Sequence, residues 1–169
     1  MFTGDIMFRE MRRKRQQLSD EETEKILREN TSGVLALIGD GGYPYAVPLS
    51  YVYSDGKIYF HSAKTGHKLD AVRSCEKASF CVTDRDEVHG DELTTYFRSV
   101  IAFGTVRIIE AEEEMLPAVW ALGRKYLADN DSRIQQEIDR DMKHMNIIEF
   151  TVEHMTGKEA IELVRDSEK

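Results

Sequence analysis

The feature of this sequence that most constrains its fold is a series of short apolar runs separated by turns, clearest in residues 43–62, YPYAVPLSYVYSDGKIYFHS. β-Branched and aromatic residues run to Tyr53, the SDG that follows has turn composition, and KIYFH returns as a second strand. Pro44 and Pro48 have no N–H to donate, so the first strand is predicted to lie at a sheet edge or beside an opening. This pattern is typical of an antiparallel β-structure.

Five further segments are predicted to add four strands and one turn. GVLALIG is a short buried strand, DGGY is a hairpin turn, and KASFCVTD is another strand. The long run TTYFRSVIAFGTVRIIE contains Gly104, which predicts a bulge or a close backbone approach. In NIIEFTVEHMTGKEA, apolar residues alternate with polar ones, so one face is predicted to be buried and the other, which includes Glu149, to be solvent-exposed.

Helices are predicted between these strands. Ser19 and Glu22 form a capping box that starts a helix at Asp20–Glu29. A second helix is predicted to begin near Leu69, and a third covers EEEMLPAVWALGRKYL, with Pro117 tolerated only in its first turn. A further helical piece carries Ile134, Ile138 and Met142. The sequence therefore predicts one α+β domain, residues 1–169, that forms a six-stranded antiparallel barrel with flanking helices and an N-terminal arm, residues 1–18.

Composition argues against several classes of protein. The 169-residue chain carries 23 basic and 31 acidic side chains, a net charge of -8, which disfavours nucleic-acid binding as its main role. The basic run MRRKRQQ is interpreted as a solvated arm or a partner contact, with a nucleic-acid patch as the alternative. Because no apolar run reaches about 20 residues and no secretory signal is visible, we expect a cytoplasmic protein without membrane contact.

No set of side chains predicts protein-based catalysis or a metal site. Cys75 and Cys81 are interpreted as reduced thiols. DRDEVHGDE, residues 84–92, places carboxylates around His89, but its spacing matches no ligand pattern, and a polar loop is the preferred interpretation. We therefore predict no catalytic residue and no metal ligand.

The segment HSAKTGHKLD combines the groups of an anion pocket. Ser62 and Thr65 offer hydroxyls, Gly66 lets backbone approach a ligand, and Lys68 adds a positive charge. The helix that follows directs free N–H groups at the same place, an arrangement that suits a phosphate. The spacing alone leaves a capped helix with exposed cations equally open.

A resemblance favours the phosphate. The ordered segments MRRKRQQLSDEE, GVLAL, YPYAVPLSYVY, KIYFHSAKTGHKLD, SFCVTD, SVIAFGTV and TGKEA resemble the pyridoxamine 5'-phosphate oxidase-like, FMN-binding split-barrel superfamily, and within it the nitroimidazole-resistance group. The resemblance spans about Met11 to Ala160. YFHSAKTGHKLD after VPLSY is its most specific part.

The resemblance implies a homodimer with two FMN molecules in the grooves between subunits. The positions that would border the flavin ring and upper ribityl chain are Val47, Pro48, Leu49 and Ser50. The positions on the ribityl and phosphate side are His61, Ser62, Thr65 and Lys68. The positions that would approach the FMN held mainly by the other subunit are Arg98 and Ser99.

The function that the resemblance implies is that of an FMN-dependent oxidoreductase. Electrons would come from a small-molecule donor such as a reduced nicotinamide and pass to an acceptor such as a nitro-aromatic compound. A flavin carries the redox chemistry itself, so a protein triad is not needed. The tail GKEAIELVRDSEK lacks the Arg-rich substrate segment of vitamin B6 oxidases. The alternative is a non-catalytic flavin- or haem-binding carrier or sensor, with His61 and His67 as the haem candidates.

Overall fold

The computed structural model describes residues 8–167 and forms one antiparallel sheet flanked by helices. The strands are β1 (Ser32–Ile38), β2 (Pro44–Ser50), β3 (Val52–Ser54), β4 (Lys57–Ala63), β5 (Lys77–His89), β6 (Thr94–Ile109) and β7 (Met145–Glu159). The helices are α1 (Asp20–Glu29), α2 (His67–Ser74), α3 (Glu112–Tyr126), α4 (Asp131–Asp141) and α5 (Ile161–Ser167). The predicted α+β class is confirmed, although the sheet has seven strands rather than six.

The additional strand arises because the predicted run to Tyr53 is interrupted. Tyr51 separates β2 from β3, and these two strands lie at opposite ends of the sheet order β2-β1-β5-β6-β7-β4-β3. The two edges of the sheet therefore meet at one residue, and the sheet curls into a barrel. The predicted edge position of the strand that contains Pro44 and Pro48 is confirmed, since β2 pairs only with β1.

The barrel opens just beyond this junction. The β3–β4 ladder ends at the pair of Val52 with Tyr59, and continuing that register by two residues would set Ser50 opposite His61. Instead β2 turns away to pair with β1, while the last residues of β4 pair with β7 alone. The result is an opening between β2 and the end of β4.

The predicted irregularity at Gly104 is confirmed. The β6–β7 register shifts between Phe103 and Gly104, and a Cβ at position 104 would lie 1.9 Å from the Thr151 carbonyl oxygen. Only a residue without a side chain allows the two backbones to come this close.

The interpretation of residues 84–92 as a loop between strands is wrong for most of that segment. β5 continues to His89 and pairs with the beginning of β6, and the turn covers residues 90–93. The backbone groups pair across the hairpin while the charged side chains remain solvated, so the charges do not prevent strand formation. Within residues 8–167, no group of three or more His, Cys, Asp or Glu side chains could hold a metal ion.

The first two predicted helices are confirmed, with a small shift at the start of the second, and the prediction about Pro117 is wrong. In α1, the Ser19 hydroxyl accepts a hydrogen bond from the backbone N–H of Glu22, and the Glu22 carboxylate accepts one from the Ser19 N–H, as the capping box predicts. α2 begins at His67 rather than near Leu69. Pro117 is the sixth residue of α3, beyond its first turn, so one backbone hydrogen bond of this helix is missing.

Two apolar cores stabilise the molecule. One fills the barrel, with Phe60, Phe80 and Phe150 fully buried. The other lies between the outside of the barrel and the pair α3–α4, with Met115 and Ile147 at its centre. Because α3 covers one face of β7, both faces of that strand are buried over part of its length.

This cover explains why the predicted exposure of Glu149 is wrong. Glu149 is only 5% exposed. Its carboxylate accepts hydrogen bonds from Arg107 Nε at 2.7 Å and Lys57 Nζ at 3.0 Å. Burial disfavours the charged carboxylate, but these two bonds outweigh that effect and hold the pKa of Glu149 below its usual range.

The described part of the predicted N-terminal arm ends in contact with the sheet. Gln16 is 3% exposed and donates to the Glu159 carbonyl oxygen at 2.8 Å, and the Leu18 N–H donates to the Gly157 carbonyl. Residues 1–7 of the arm lie outside the described residues. Across residues 8–167, the structure contains no helix whose length and apolar character would let it cross a membrane.

Candidate cofactor site

The opening between β2 and β4 brings together two groups of the predicted cofactor-binding residues. On β2, Val47 and Leu49 are half-buried and pack against the barrel core, while Pro48 and Ser50 are exposed on the opposite face. The unpaired edge of β2 borders one side of the opening, and the C-terminal residues of β4 border the other. The side chains of these four residues therefore do not share one face, and what the four residues have in common at the opening is the backbone edge of β2.

The β4–α2 turn, residues 62–68, forms the other side. Ser62 is only 6% exposed, on the core side of β4, whereas Thr65 is exposed. Gly66 has a φ of 132°, which side chains rarely allow, and nothing lies within 4 Å of the place where its Cβ would be. A glycine with open space around it, placed directly before α2, leaves the first N–H groups of that helix accessible to a ligand.

Lys68 is the charged group of this turn. It is half-buried, and no carboxylate of residues 8–167 lies within ion-pairing distance of its ammonium group. Burial lowers the pKa of Lys68 below its ordinary value of 10.5. A partly desolvated cation without an acidic partner, next to a helix N-terminus, is a favourable place for an anion.

His61 points away from Ser62, because neighbouring residues in a strand face opposite sides. It lines a cavity of about 410 Å³ whose other walls come mainly from α3 and α4. Burial and, secondly, the charge of Lys68 lower the pKa of His61 below 6.5. Both effects therefore favour the neutral form of the imidazole.

His67 has a structural role in the described chain. Its ring stacks on Tyr45, with centroids 4.2 Å apart, and its Nε2 lies 3.8 Å from an Asp40 carboxylate oxygen. It also lies against Gly39, where an added Cβ would be 3.1 Å from Nε2. His67 thus fixes the start of α2 against the β1–β2 turn.

Arg98 and Ser99 lie on β6, three strands from β2 in the sheet order. Pro48 pairs with Val34, Val34 with Cys81, and Cys81 with Ile101, which is three residues from Arg98. Three strand spacings of about 4.8 Å separate Pro48 from Ile101, so Arg98 and Ser99 do not border the opening within one chain. Arg98 is ion-paired with Glu159 at 2.8 Å, and its buried Nε has no hydrogen-bond partner among the described residues.

One residue at this site was not predicted. Tyr126, at the end of α3, accepts a hydrogen bond from the Tyr51 N–H at 2.9 Å, and its hydroxyl lies 2.9 Å from the Tyr51 carbonyl and 2.5 Å from the Thr31 carbonyl. Its neighbour Lys125 lies 4.0 Å from the centre of the Tyr51 ring and donates to the Asn30 carbonyl. Tyr126 thus provides the hydrogen bonds that Tyr51 lacks where the strand is interrupted. In the sequence it was visible only as a residue at helical spacing.

The arrangement can bind and orient an anionic group, but it does not provide a nucleophile with an adjacent base. Ser62 and Thr65 could accept or donate hydrogen bonds at the turn, and Lys68 could neutralise a phosphate there. The free backbone edge of β2 and the end of β4 could contact a group attached to that phosphate. These residues fit a phosphate-bearing cofactor that performs the chemistry itself.

Comparisons with known proteins agree with this fold. A FAD-binding protein from Mesorhizobium loti is 26% identical, with 86% of this chain and 97% of that chain covered and a TM-score of 0.63. A 5-nitroimidazole antibiotic resistance candidate from Bacteroides thetaiotaomicron is 21% identical, with 84% and 85% covered and a TM-score of 0.68. The FAD and haem binding protein from Mycobacterium smegmatis is 20% identical, with 86% and 73% covered and a TM-score of 0.74.

At the level of sequence, no curated protein is significantly similar to this chain. The family described as Pyridoxamine 5'-phosphate oxidase, however, matches it over residues 19–159. That range begins at the cap of α1 and ends with the last residue of β7, so it includes every strand of the sheet. The chain therefore belongs to the pyridoxamine 5'-phosphate oxidase family.

Proposed function

We propose that this protein binds FMN at the opening between β2 and β4, with the FMN phosphate at the β4–α2 turn. The observation that carries the proposal is the half-buried Lys68, which has no acidic partner in the described chain and lies in the first turn of α2. Ser62 and Thr65 would add hydrogen bonds to the phosphate and the ribityl chain. The edge of β2 from Val47 to Ser50 would border the flavin ring.

The proposed activity is that of an oxidoreductase. A bound flavin would supply the redox chemistry, accepting electrons from a reduced nicotinamide or another donor and passing them to a small acceptor. Similarity to the FAD-binding protein from Mesorhizobium loti supports a flavin, and similarity to the resistance candidate from Bacteroides thetaiotaomicron supports nitro-aromatic compounds as acceptors. The protein residues would bind and orient these molecules.

We also propose that the working form is a homodimer. The outer face of β1 and β6 exposes four large apolar side chains, Val34, Ile38, Ile101 and Phe103, each between 37% and 43% exposed. In the sheet, Val34 is linked through Cys81 to Ile101. This continuous apolar row on one face suits a second copy of the chain.

The first test is the visible absorption spectrum of the purified protein, before and after addition of FMN. We expect a two-band flavin spectrum and release of FMN on heating. A colourless protein that leaves the spectrum and fluorescence of added FMN unchanged would contradict the proposal.

The second test separates catalysis from binding. Protein reconstituted with FMN is mixed anaerobically with NADH or NADPH, and then with a nitroimidazole. We expect bleaching of the flavin bands and their return when the acceptor is added. Stable FMN binding without either change would leave a flavin-binding protein that is not an oxidoreductase of this kind.

The alternative is a non-catalytic haem- or flavin-binding carrier, and the comparison with the Mycobacterium smegmatis protein is the observation that favours it. Because His67 is stacked on Tyr45, His61 is the better haem candidate of the two. A haem absorption band that is lost in His61→Ala and kept in His67→Ala would support this alternative. Unchanged free-haem absorption on titration would exclude it.

A further inference from the structure

The cavity beside His61 has the size and walls of a small-molecule site. Its volume of about 410 Å³ falls in the range of natural ligand pockets. Its walls are mostly apolar, and they come from two helices and the strand edge beneath them. The apolar residues are Val119 and Leu122 of α3, Leu127 directly after α3, Ile134 and Ile138 of α4, and Met145 of β7.

The acidic residues of the cavity are already neutralised. Glu137 lies 2.5 Å from an Arg133 guanidinium nitrogen and is also paired with Arg140, and Asp141 lies 2.7 Å from Arg140. The cavity therefore presents no unpaired charge that would attract an ion. This balance favours an uncharged ligand, because a charged one would lose hydration without gaining a partner.

His61 is the polar group that remains available. Its side chain has no hydrogen bond or ion pair with any residue from 8 to 167, although it forms part of the cavity wall. The Tyr126 hydroxyl also lies in the wall, but it is occupied by Tyr51 and Thr31. A single available imidazole in an apolar cavity can orient one hydrogen-bonding group of a ligand.

We infer that this cavity binds an uncharged small molecule with an aromatic or aliphatic ring body and one polar group that hydrogen-bonds to His61. The site is separate from the proposed phosphate position, since Ser62, Thr65 and Lys68 do not line it. The inference uses only the cavity and its charges, so it does not depend on flavin binding.

The test is a fluorescence titration of the full chain with Nile red, an uncharged dye that brightens in apolar sites. We expect saturable binding, weakened at least tenfold by Val119→Trp, which fills the cavity. Leu127→Trp is the second variant, because position 127 is 40% exposed and a larger side chain there does not disturb the core. Leu116→Trp is the matched control, because position 116 lies on α3, as Val119 does, and is 39% exposed, but is outside this cavity.

The chemical class is tested by competition between three indoles that differ in charge. We expect indole to displace Nile red at concentrations at least tenfold lower than either indole-3-acetate or tryptamine. His61→Phe should weaken indole at least fivefold, because it removes the hydrogen-bonding group and keeps a ring of similar size. Equal potency of the three indoles, or an unchanged indole affinity in His61→Phe, would overturn the assigned class.

The location is tested by the variants and by FMN. Equal Nile red affinity in the native chain and both cavity variants, or an equal loss in Leu116→Trp, would overturn the inference. So would competitive displacement of Nile red by FMN, since that would make the cavity part of the flavin site. A Nile red affinity at saturating FMN that lies within threefold of the affinity measured without FMN supports a separate site.

Discussion

At the scale of single residues, Lys68 provides the sharpest test of the phosphate position. Lys68→Ala removes the half-buried cation and leaves the backbone of α2 in place. We expect its Kd for FMN to rise about 10- to 100-fold, which corresponds to roughly 1.4–2.8 kcal/mol, the range of a charge-assisted contact. Quenching of flavin fluorescence on titration measures this change.

Lys64→Ala is the matched control. Lys64 lies in the same turn but is exposed to solvent, so its charge is screened. We expect less than a threefold change in the Kd for FMN. If both variants bind FMN equally well, the phosphate does not lie at Lys68.

Glu149 provides a second test at this scale, based on stability. We expect Glu149→Gln to lower the free energy of unfolding at pH 7 by about 1–2 kcal/mol, because Arg107 and Lys57 lose a charged acceptor. The side chains of Arg107 and Lys57 are both partly exposed, so the loss is smaller than for a fully buried ion pair. Urea denaturation at several pH values measures it.

The pH dependence follows from the lowered pKa of Glu149. A carboxyl whose pKa is lower in the folded state stabilises the protein above its unfolded pKa, and this contribution is lost as the pH falls through the folded pKa. The difference between native protein and Glu149→Gln should therefore be constant near neutral pH and shrink below the ordinary value of 4.5. A difference that does not change with pH would show that shape, not charge, causes the loss.

At the scale of elements, the junction of β2, β3 and α3 depends on one hydroxyl group. Tyr126→Phe removes it and leaves the N–H and C=O of Tyr51 without these partners. We expect a loss of about 1–3 kcal/mol in unfolding free energy, the cost of unpaired buried backbone groups, and faster hydrogen exchange at the Tyr51 amide. Tyr43→Phe makes the same chemical change at a residue 78% exposed and should change stability by less than 0.5 kcal/mol. Similar results for the two variants would show that the junction does not need the hydroxyl.

The elements also show which features a sequence can predict. The start of α1 and the bulge at Gly104 were predicted because each depends on residues with local signatures, a capping box and a glycine within a strand. The interruption at Tyr51 was missed because its cause is a hydroxyl group 75 residues away in the chain. Glu149 was misjudged for a similar reason, since alternation along β7 cannot reveal that α3 covers the outer face.

At the scale of the whole molecule, the candidate site is only partly visible in one chain. The turn with Ser62, Thr65 and Lys68 and the edge of β2 meet at one opening, as the resemblance implied for cofactor-binding residues. Arg98 and Ser99 lie on β6, three strands from β2, on the strand that carries Ile101 of the apolar row that we propose as the dimer interface. The resemblance gives them a role at the FMN of another copy of the chain, so that predicted role depends on the dimer.

Ile101 is the residue with which to test that dependence. It is 41% exposed in the apolar row that we propose as the dimer interface. A charge placed there would have to be buried on association, so we expect Ile101→Glu to be monomeric by sedimentation velocity. Leu116→Glu, at a site 39% exposed on α3, introduces the same charge elsewhere and should leave the association unchanged.

The same pair of variants shows whether association completes the cofactor site. If Arg98 and Ser99 of one copy contact the FMN of the other, monomeric Ile101→Glu should bind FMN at least tenfold more weakly, although its Lys68 turn is intact. Dilution that dissociates the native dimer should weaken its FMN binding, and raising the protein concentration should restore it. In Ile101→Glu, raising the protein concentration should not strengthen FMN binding. A monomer that binds FMN with native affinity would show that the turn and the β2 edge suffice, and that Arg98 serves only its ion pair with Glu159.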